Sequence, residues 1–274
     1  MTHKPALIIC FVSLALSSEV APFDIVTGRG EGIGRAVILS RSSASELLAV
    51  PAGGLGARQG LVEIGFNRAF EMSELDNLYV AGAYCFGSVT TAIGFSQFGH
   101  SDLYTEQTAK LSLAIRRDSL TAAVTLAGLL VSLGGGYERL DATTLGCGLS
   151  YRTRRIIVAV TGENLTAPRL QENSREINPL FSGYAELIGP GPYSLTGRVT
   201  LEREEKPQFA VGQKIDLSTK AAFFWGIATA PLKYGGGLEV DLEGRSLTYV
   251  VSYHPTLGLS QTVALSLVFG STRM

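Results

Sequence analysis

Tyr193-Ser194-Leu195-Thr196-Gly197-Arg198-Val199-Thr200-Leu201-Glu202 is the stretch that decides the architecture. Successive side chains of a strand point to opposite faces. Tyr193, Leu195, Val199 and Leu201 therefore share one side, and Ser194, Thr196, Arg198, Thr200 and Glu202 the other. One such segment fits any half-buried sheet. Here the alternation restarts from about residue 60 to Phe269, giving candidate strands near 60–70, 77–87, 88–98, 107–117, 119–132, 143–152, 154–163, 179–188, 192–202, 208–216, 219–228, 233–242, 245–254 and 260–269. A spacing of about 15 residues suits membrane strands of ~9–11 residues joined by short turns. The expectation is all-β: a transmembrane antiparallel β-barrel of about 14 strands with an N-terminal plug or hatch segment.

Charges keep to one phase. Leu111, Leu113 and Ile115 oppose Lys110, Ser112, Ala114 and Arg116, while Leu238, Val240 and Leu242 oppose Glu239 and Asp241. A basic group facing lipid at mid-bilayer costs ~2–4 kcal/mol, whereas a wet lumen tolerates it. Lys110, Arg116, Arg198, Glu239 and Asp241 are therefore the lumen-facing candidates. Glu63 and Glu186 also read as lumen charges rather than a working acid/base pair. Phe223, Phe224, Trp225 and Tyr234 read as girdle aromatics at the membrane interface.

The N-terminus supplies the compartment. Lys4 precedes the apolar run Ala6–Leu16, and the small residues Ala15, Ser17 and Ser18 follow or close it. That run is too short for a spanning helix and matches a secretory signal peptide, expected over residues 1–20. Residues 21–58 lack regular alternation and carry Gly28, Gly30, Gly32 and Gly34, a short helical possibility at 45–50, and Pro51-Ala52-Gly53-Gly54. They are expected to form the plug or hatch, and residues 59–274 the barrel. Cys10 falls in the signal, while Cys85 and Cys147 read as small packing residues, a bridge between them remaining open. Ser119–Tyr137 is uncharged over 19 residues and could pass for a spanning helix, but its threonines and valines and its closing glycines favour strand.

Several functions are set aside on composition and spacing. Net charge is −1, from 23 basic and 24 acidic residues, without the basic stripe a nucleic-acid surface needs. Thr27-Gly28-Arg29-Gly30-Glu31-Gly32-Ile33-Gly34 mimics the dinucleotide turn of short-chain dehydrogenases. No lysine follows a tyrosine at four-residue spacing, so the general acid/base of that chemistry is missing. His100 and His254 lack metal-binding spacing. The reading is a non-enzyme without cofactor or metal.

The N-terminal residues Gly28–Ala36, followed by Val50-Pro51-Ala52-Gly53-Gly54, resemble the glycine-rich stretch and turn that open FadL-type outer-membrane barrels, especially the shorter PorV/PorQ-like branch. Tyr249–Ser260 resembles that family's last hairpin, and Gly162-Glu163-Asn164-Leu165 its mid-barrel turn. Val50 stands where the family has asparagine, and five residues follow Phe269 where many such barrels end. The resemblance implies a fourteen-stranded barrel in the bacterial outer membrane, with Val50, Pro51, Ala52 and Gly53 as the plug turn. For FadL-like members it implies passive uptake of hydrophobic small molecules through the lumen and a lateral opening. For PorV/PorQ-like members it implies service to protein secretion or surface attachment, with secretion-system proteins as partners. A soluble secreted β protein is the third reading.

Overall fold

A computed structural model describes residues 25, 28–40, 43–53, 59–100, 104–134, 139–170 and 176–270. The expected signal peptide lies outside them. Two short helices come first, α1 (Gly28–Gly32) and α2 (Glu46–Ala49). Fourteen strands follow: β1 (Gly60–Arg68), β2 (Asp76–Phe86), β3 (Val89–His100), β4 (Tyr104–Arg117), β5 (Leu120–Leu133), β6 (Leu140–Arg152), β7 (Ile156–Glu163), β8 (Leu180–Ile188), β9 (Tyr193–Glu202), β10 (Gln208–Ser218), β11 (Ala221–Ala228), β12 (Lys233–Asp241), β13 (Arg245–His254) and β14 (Gly258–Phe269). Each pairs antiparallel with its chain neighbours, and β1 closes on β14 from Gly60↔Phe269 to Arg68↔Gln261. Closure leaves no unpaired edge, which is what lets a sheet cross a membrane.

The faces follow the alternation. Ile64, Leu111, Leu126, Val160, Leu195, Leu238 and Leu265 point outward and are exposed. Glu63, Lys110, Thr125, Thr161, Ser194, Glu239 and Ala264 point inward and are buried. An exposed apolar belt around a closed barrel, with charge confined inside, reverses the polarity of a soluble sandwich. Among the described residues no helix is long and apolar enough to cross a membrane, and the uncharged stretch at 119–137 supplies β5 instead.

Connections at one end of the barrel are tight, as at Gly87-Ser88, Asp118-Ser119 and Glu243-Gly244, where Gly87, Asp118, Glu243 and Gly244 take positive φ. At the other end they include the longer spans 134–139 and 164–179. Two expected loops are shorter than their composition suggests. β4 begins at Tyr104 and β6 at Leu140, each three residues early. The ladder continues there through Tyr104↔Leu133 and Val131↔Leu140. The outward residues Gln107, Asp141 and Thr143 are polar, so the apolar alternation gives out before the pairing does.

Two further expectations are corrected. Phe224 faces the lumen, fully buried over Gly32, while Trp225 faces out; three consecutive aromatics left their phase ambiguous. Cys147 is exposed on the outer face rather than packed, because it falls on the outward phase with Leu145 and Leu149. Cys85 is buried, and the two thiols are free.

Candidate site in the barrel lumen

The lumen is occupied by the chain's own N-terminal segment. α1 contacts β11, β12, β13, β14 and β1, and α2 contacts β3 and β4, so the segment reaches opposite walls. The TGxxxGIG stretch, whose Thr27 lies outside the described residues, contributes α1 and the turn after it rather than a cofactor turn between a strand and a long helix.

Three glycines make its seat. Gly212 on β10 pairs with Gly226 on β11, and Gly226 pairs with Gly235 on β12, forming one inward-facing rung across three strands. A Cβ on Gly226 would lie 2.5 Å from the Ile33 carbonyl carbon, and one on Gly235 would lie 2.7 Å from the Glu31 carbonyl oxygen. Only a wall without side chains lets the backbone of residues 31–33 approach this closely. The rung continues through Thr196 and Glu186, and the segment follows it. Thr196 Oγ1 donates to the Ala36 carbonyl at 2.8 Å, and Ser40 donates from both N and Oγ to the Glu186 carboxylate at 2.6 Å. The Arg152 guanidinium then donates to the Leu39 carbonyl at 2.8 Å.

Two charged clusters pin α1. Glu31 accepts from Lys233 at 2.5 Å and from Arg35 at 3.1 Å. Burial works to raise the Glu31 pKa, but the charges of Lys233 and Arg35 outweigh it and hold the carboxyl at about 2. On the other side, Arg29 meets Glu46 at 2.8 Å and Glu239 at 3.2 Å. Burial opposes the charge on Arg29, but Glu46, Glu239 and Glu63 overcome it and raise its pKa further. Burial, against the pull of Arg29, pushes Glu46 up to about 7. Glu63 accepts from Ser45 Oγ and from the Tyr79 hydroxyl, both at 2.7 Å. That hydroxyl accepts from Gly28 N at 3.1 Å, and the Tyr79 ring covers its cross-strand partner Gly65.

The turn residues Val50, Pro51, Ala52 and Gly53 are buried, with the Ala52 carbonyl accepting from Ser150 Oγ at 2.6 Å. Val50 packs with Ile157, Ala159 and Tyr184, an apolar contact in place of an amide.

A cavity of about 310 Å³ remains between this segment and the short-turn ends of β12, β13, β14 and β1, lined in part by Arg29, Ser43, Glu63, Glu239, Asp241 and Ser266. On the longer-loop side of α1 only about 30 Å³ opens beside Arg35, Arg198 and Lys233. Of the sequence candidates, Glu239 and Asp241 thus meet at the larger cavity. Lys110 points inward on another wall, paired with Glu163 at 3.1 Å. Arg198 is half-buried, its guanidinium 5.6 Å from the Tyr184 ring centre. Arg116 is half-buried at the short-turn end.

Two features of the lumen lie outside the candidates drawn from the alternation. One is the glycine rung. The other is an inward apolar cluster at the longer-loop end, where Ala127, Leu129, Val131 and Ala142 pack with Tyr104, Leu140, Leu170 and Ile177. Its signal was present: Leu129 and Val131 sit on the luminal phase of β5, in the stretch that carries no charge on either face.

The fold is a closed fourteen-stranded antiparallel barrel with an exposed apolar belt and a charged, plugged lumen. No family model matches the chain, and no curated protein matches it in sequence. Among solved structures it is similar to CymD, a monoaromatic hydrocarbon channel, with a TM-score of 0.65 at 10% identity over 91% of this chain and 98% of that one. The P. putida toluene transporter TodX gives 0.59 at 9% identity over 92% and 100% of the two chains. Acinetobacter baumannii Omp33 gives 0.51 at 10% identity over 78% and 98%. At these identities the likeness is one of fold.

Proposed function

We propose that this protein is a bacterial outer-membrane barrel that acts as a passive channel for small hydrophobic molecules, with residues 28–40 and 43–53 in its resident plug. The observation that carries the solute class is the apolar cluster inside the longer-loop end of the barrel, where Leu129 and Val131 are buried against Leu140, Leu170 and Ile177 and would become apolar lining once those loop residues move aside. A water-filled pore for polar solutes is lined by polar groups at its mouth, whereas apolar solutes leave water for a surface of this kind at about 25 cal/mol per Å² buried. The short-turn end is assigned to the periplasm, since outer-membrane barrels keep their short turns there. CymD and TodX, described as a hydrocarbon channel and a toluene transporter, support the same reading.

Liposomes carrying the barrel are expected to admit a small hydrophobic dye several-fold faster than empty ones. Leu129→Gln with Val131→Gln is expected to remove most of that gain while leaving heat-modifiable gel mobility unchanged. Equal dye uptake with and without barrel would leave a scaffold role instead. A protein that stays monodisperse without detergent would end the membrane reading altogether.

A further inference from the structure

Two hairpin turns that are neighbours on the short-turn rim concentrate positive charge. Arg116-Arg117-Asp118-Ser119 joins β4 to β5, and Arg152-Thr153-Arg154-Arg155 joins β6 to β7. They hold five arginines and one acid, in a chain whose net charge is −1. Elsewhere on this rim Asp241-Leu242-Glu243-Gly244-Arg245 mixes its signs, and Ser218-Thr219-Lys220 carries a single lysine.

The five arginines divide by phase. Arg116 and Arg152 lie on the luminal side, with Arg152 engaged to Leu39 and within electrostatic reach of Arg116 and Glu186. Arg117, Arg154 and Arg155 are exposed. Arg117 is on the lipid-facing phase of β4. Its cross-strand partner is Leu120, whose partner in turn is Tyr151. Leu120, Tyr151 and Ile156 are all exposed on the outer face.

The display is fixed rather than floppy. Arg152 N donates to the Ser119 carbonyl at 2.9 Å, tying one turn to the other. Thr153 Oγ1 accepts from the backbone N of Arg155 and Ile156, and Ile188 N holds the Arg155 carbonyl at 2.8 Å. The guanidinium fork matches phosphate oxygens in pairs. A tyrosine and aliphatic side chains just inside the arginines suit the junction of headgroup and acyl chain.

We propose that Arg117, Arg154 and Arg155 form a binding site for the phosphate of an anionic phospholipid in the leaflet at the short-turn end, with Leu120, Tyr151 and Ile156 lying along its chains. This rests on the membrane reading of the barrel. A lipid is favoured over a soluble acidic partner because the arginines and the exposed apolar side chains share one outward strip, which only a molecule with both characters covers.

The test is native mass spectrometry of the full-length barrel released from micelles doped with equal phosphatidylglycerol and phosphatidylcholine. Wild type is expected to retain phosphatidylglycerol and shed phosphatidylcholine. Arg117→Gln with Arg154→Gln and Arg155→Gln is expected to lower bound phosphatidylglycerol at least fivefold. The matched Lys220→Gln with Arg245→Gln is expected to leave it unchanged, and three Arg→Lys changes to give an intermediate value. Heat-modifiable mobility reports separately whether each variant is a folded barrel, so the membrane reading and the lipid site fail independently. Equal retention of both lipids by wild type overturns the site without need of any variant. So does a folded triple variant that binds as wild type, displacement of the lipid by millimolar inorganic phosphate, or capture of a polyglutamate peptide in place of the lipid.

Discussion

Glu31 of α1 and Glu46, the partner of Arg29 of α1, have carboxyl pKa values shifted in opposite directions, and pH separates their contributions. The Glu31 carboxyl, at about 2 against an ordinary 4.5, contributes stability that is complete above about 4.5 and lost as pH falls toward 2. Glu46, raised to about 7, behaves in the reverse sense: its contribution is complete below about 4.5 and lost as pH rises through 7. The seat of the inner segment is therefore tightest near pH 4.5. Hydrogen exchange of residues 28–40, corrected for the intrinsic pH dependence of amide exchange, is expected to show maximal protection there. Glu46→Gln is expected to flatten the alkaline side and Glu31→Gln the acidic side. Arg29→Gln leaves the buried Glu239 carboxylate without its cation, and above pH 7 the Glu46 carboxylate as well; breaking a buried pair in this way costs about 3–5 kcal/mol. Unchanged protection in Arg29→Gln would mean that the glycine seat alone holds the segment.

At the scale of elements, the strands were legible because each carries its own alternation, and the inner segment was legible only as a departure from it. What the sequence did not display was how the two meet. Gly212, Gly226 and Gly235 are far apart in the chain and become one rung only through the register of three strands. Each taken singly reads as a weak spot in a strand. Their luminal phase could have been read, from Ala210-Gly212-Lys214 and Lys233-Gly235-Gly237-Glu239, but their alignment could not, since one residue of slip moves a strand's whole face. The luminal charges behaved likewise. Phase was enough to turn Lys110 and Glu239 inward, whereas the pairing of Glu239 with Arg29 and of Lys110 with Glu163 depends on folded distance. The seat gives a sharp expectation. In Gly226→Val the new side chain meets the backbone of Ile33, so the segment must move, while the ladder between β10, β11 and β12 gains a good strand former. Planar-bilayer recordings are expected to show a several-fold rise in open conductance over wild type, with unchanged heat-modifiable mobility. A variant that conducts like wild type would show that residues 31–33 do not obstruct the lumen.

For the molecule as a whole, the same alternation that names the strands fixes which way the barrel is turned out, and adjacent residues test it. Leu265 and Ser266 are neighbours on β14. Leu265 faces out, 44% exposed, opposite Ile64 and Leu247, while Ser266 lines the 310 Å³ cavity. In a soluble protein, arginine at the exposed Leu265 would be the harmless change and arginine at the inward Ser266 the disruptive one. In a membrane the order inverts. Leu265→Arg places a guanidinium among acyl chains at a cost of ~2–4 kcal/mol. Ser266→Arg extends into a cavity where Glu63, Glu239 and Asp241 outnumber Arg29 and Arg245, so the lining stays net acidic and accommodates the added cation. Guanidinium unfolding in lipid vesicles, followed through Trp225, is expected to place Leu265→Arg below wild type by that amount and Ser266→Arg within about 1 kcal/mol of it. The opposite ranking would require the apolar belt to face something other than lipid, and the assignment of the barrel to a membrane would fall with it.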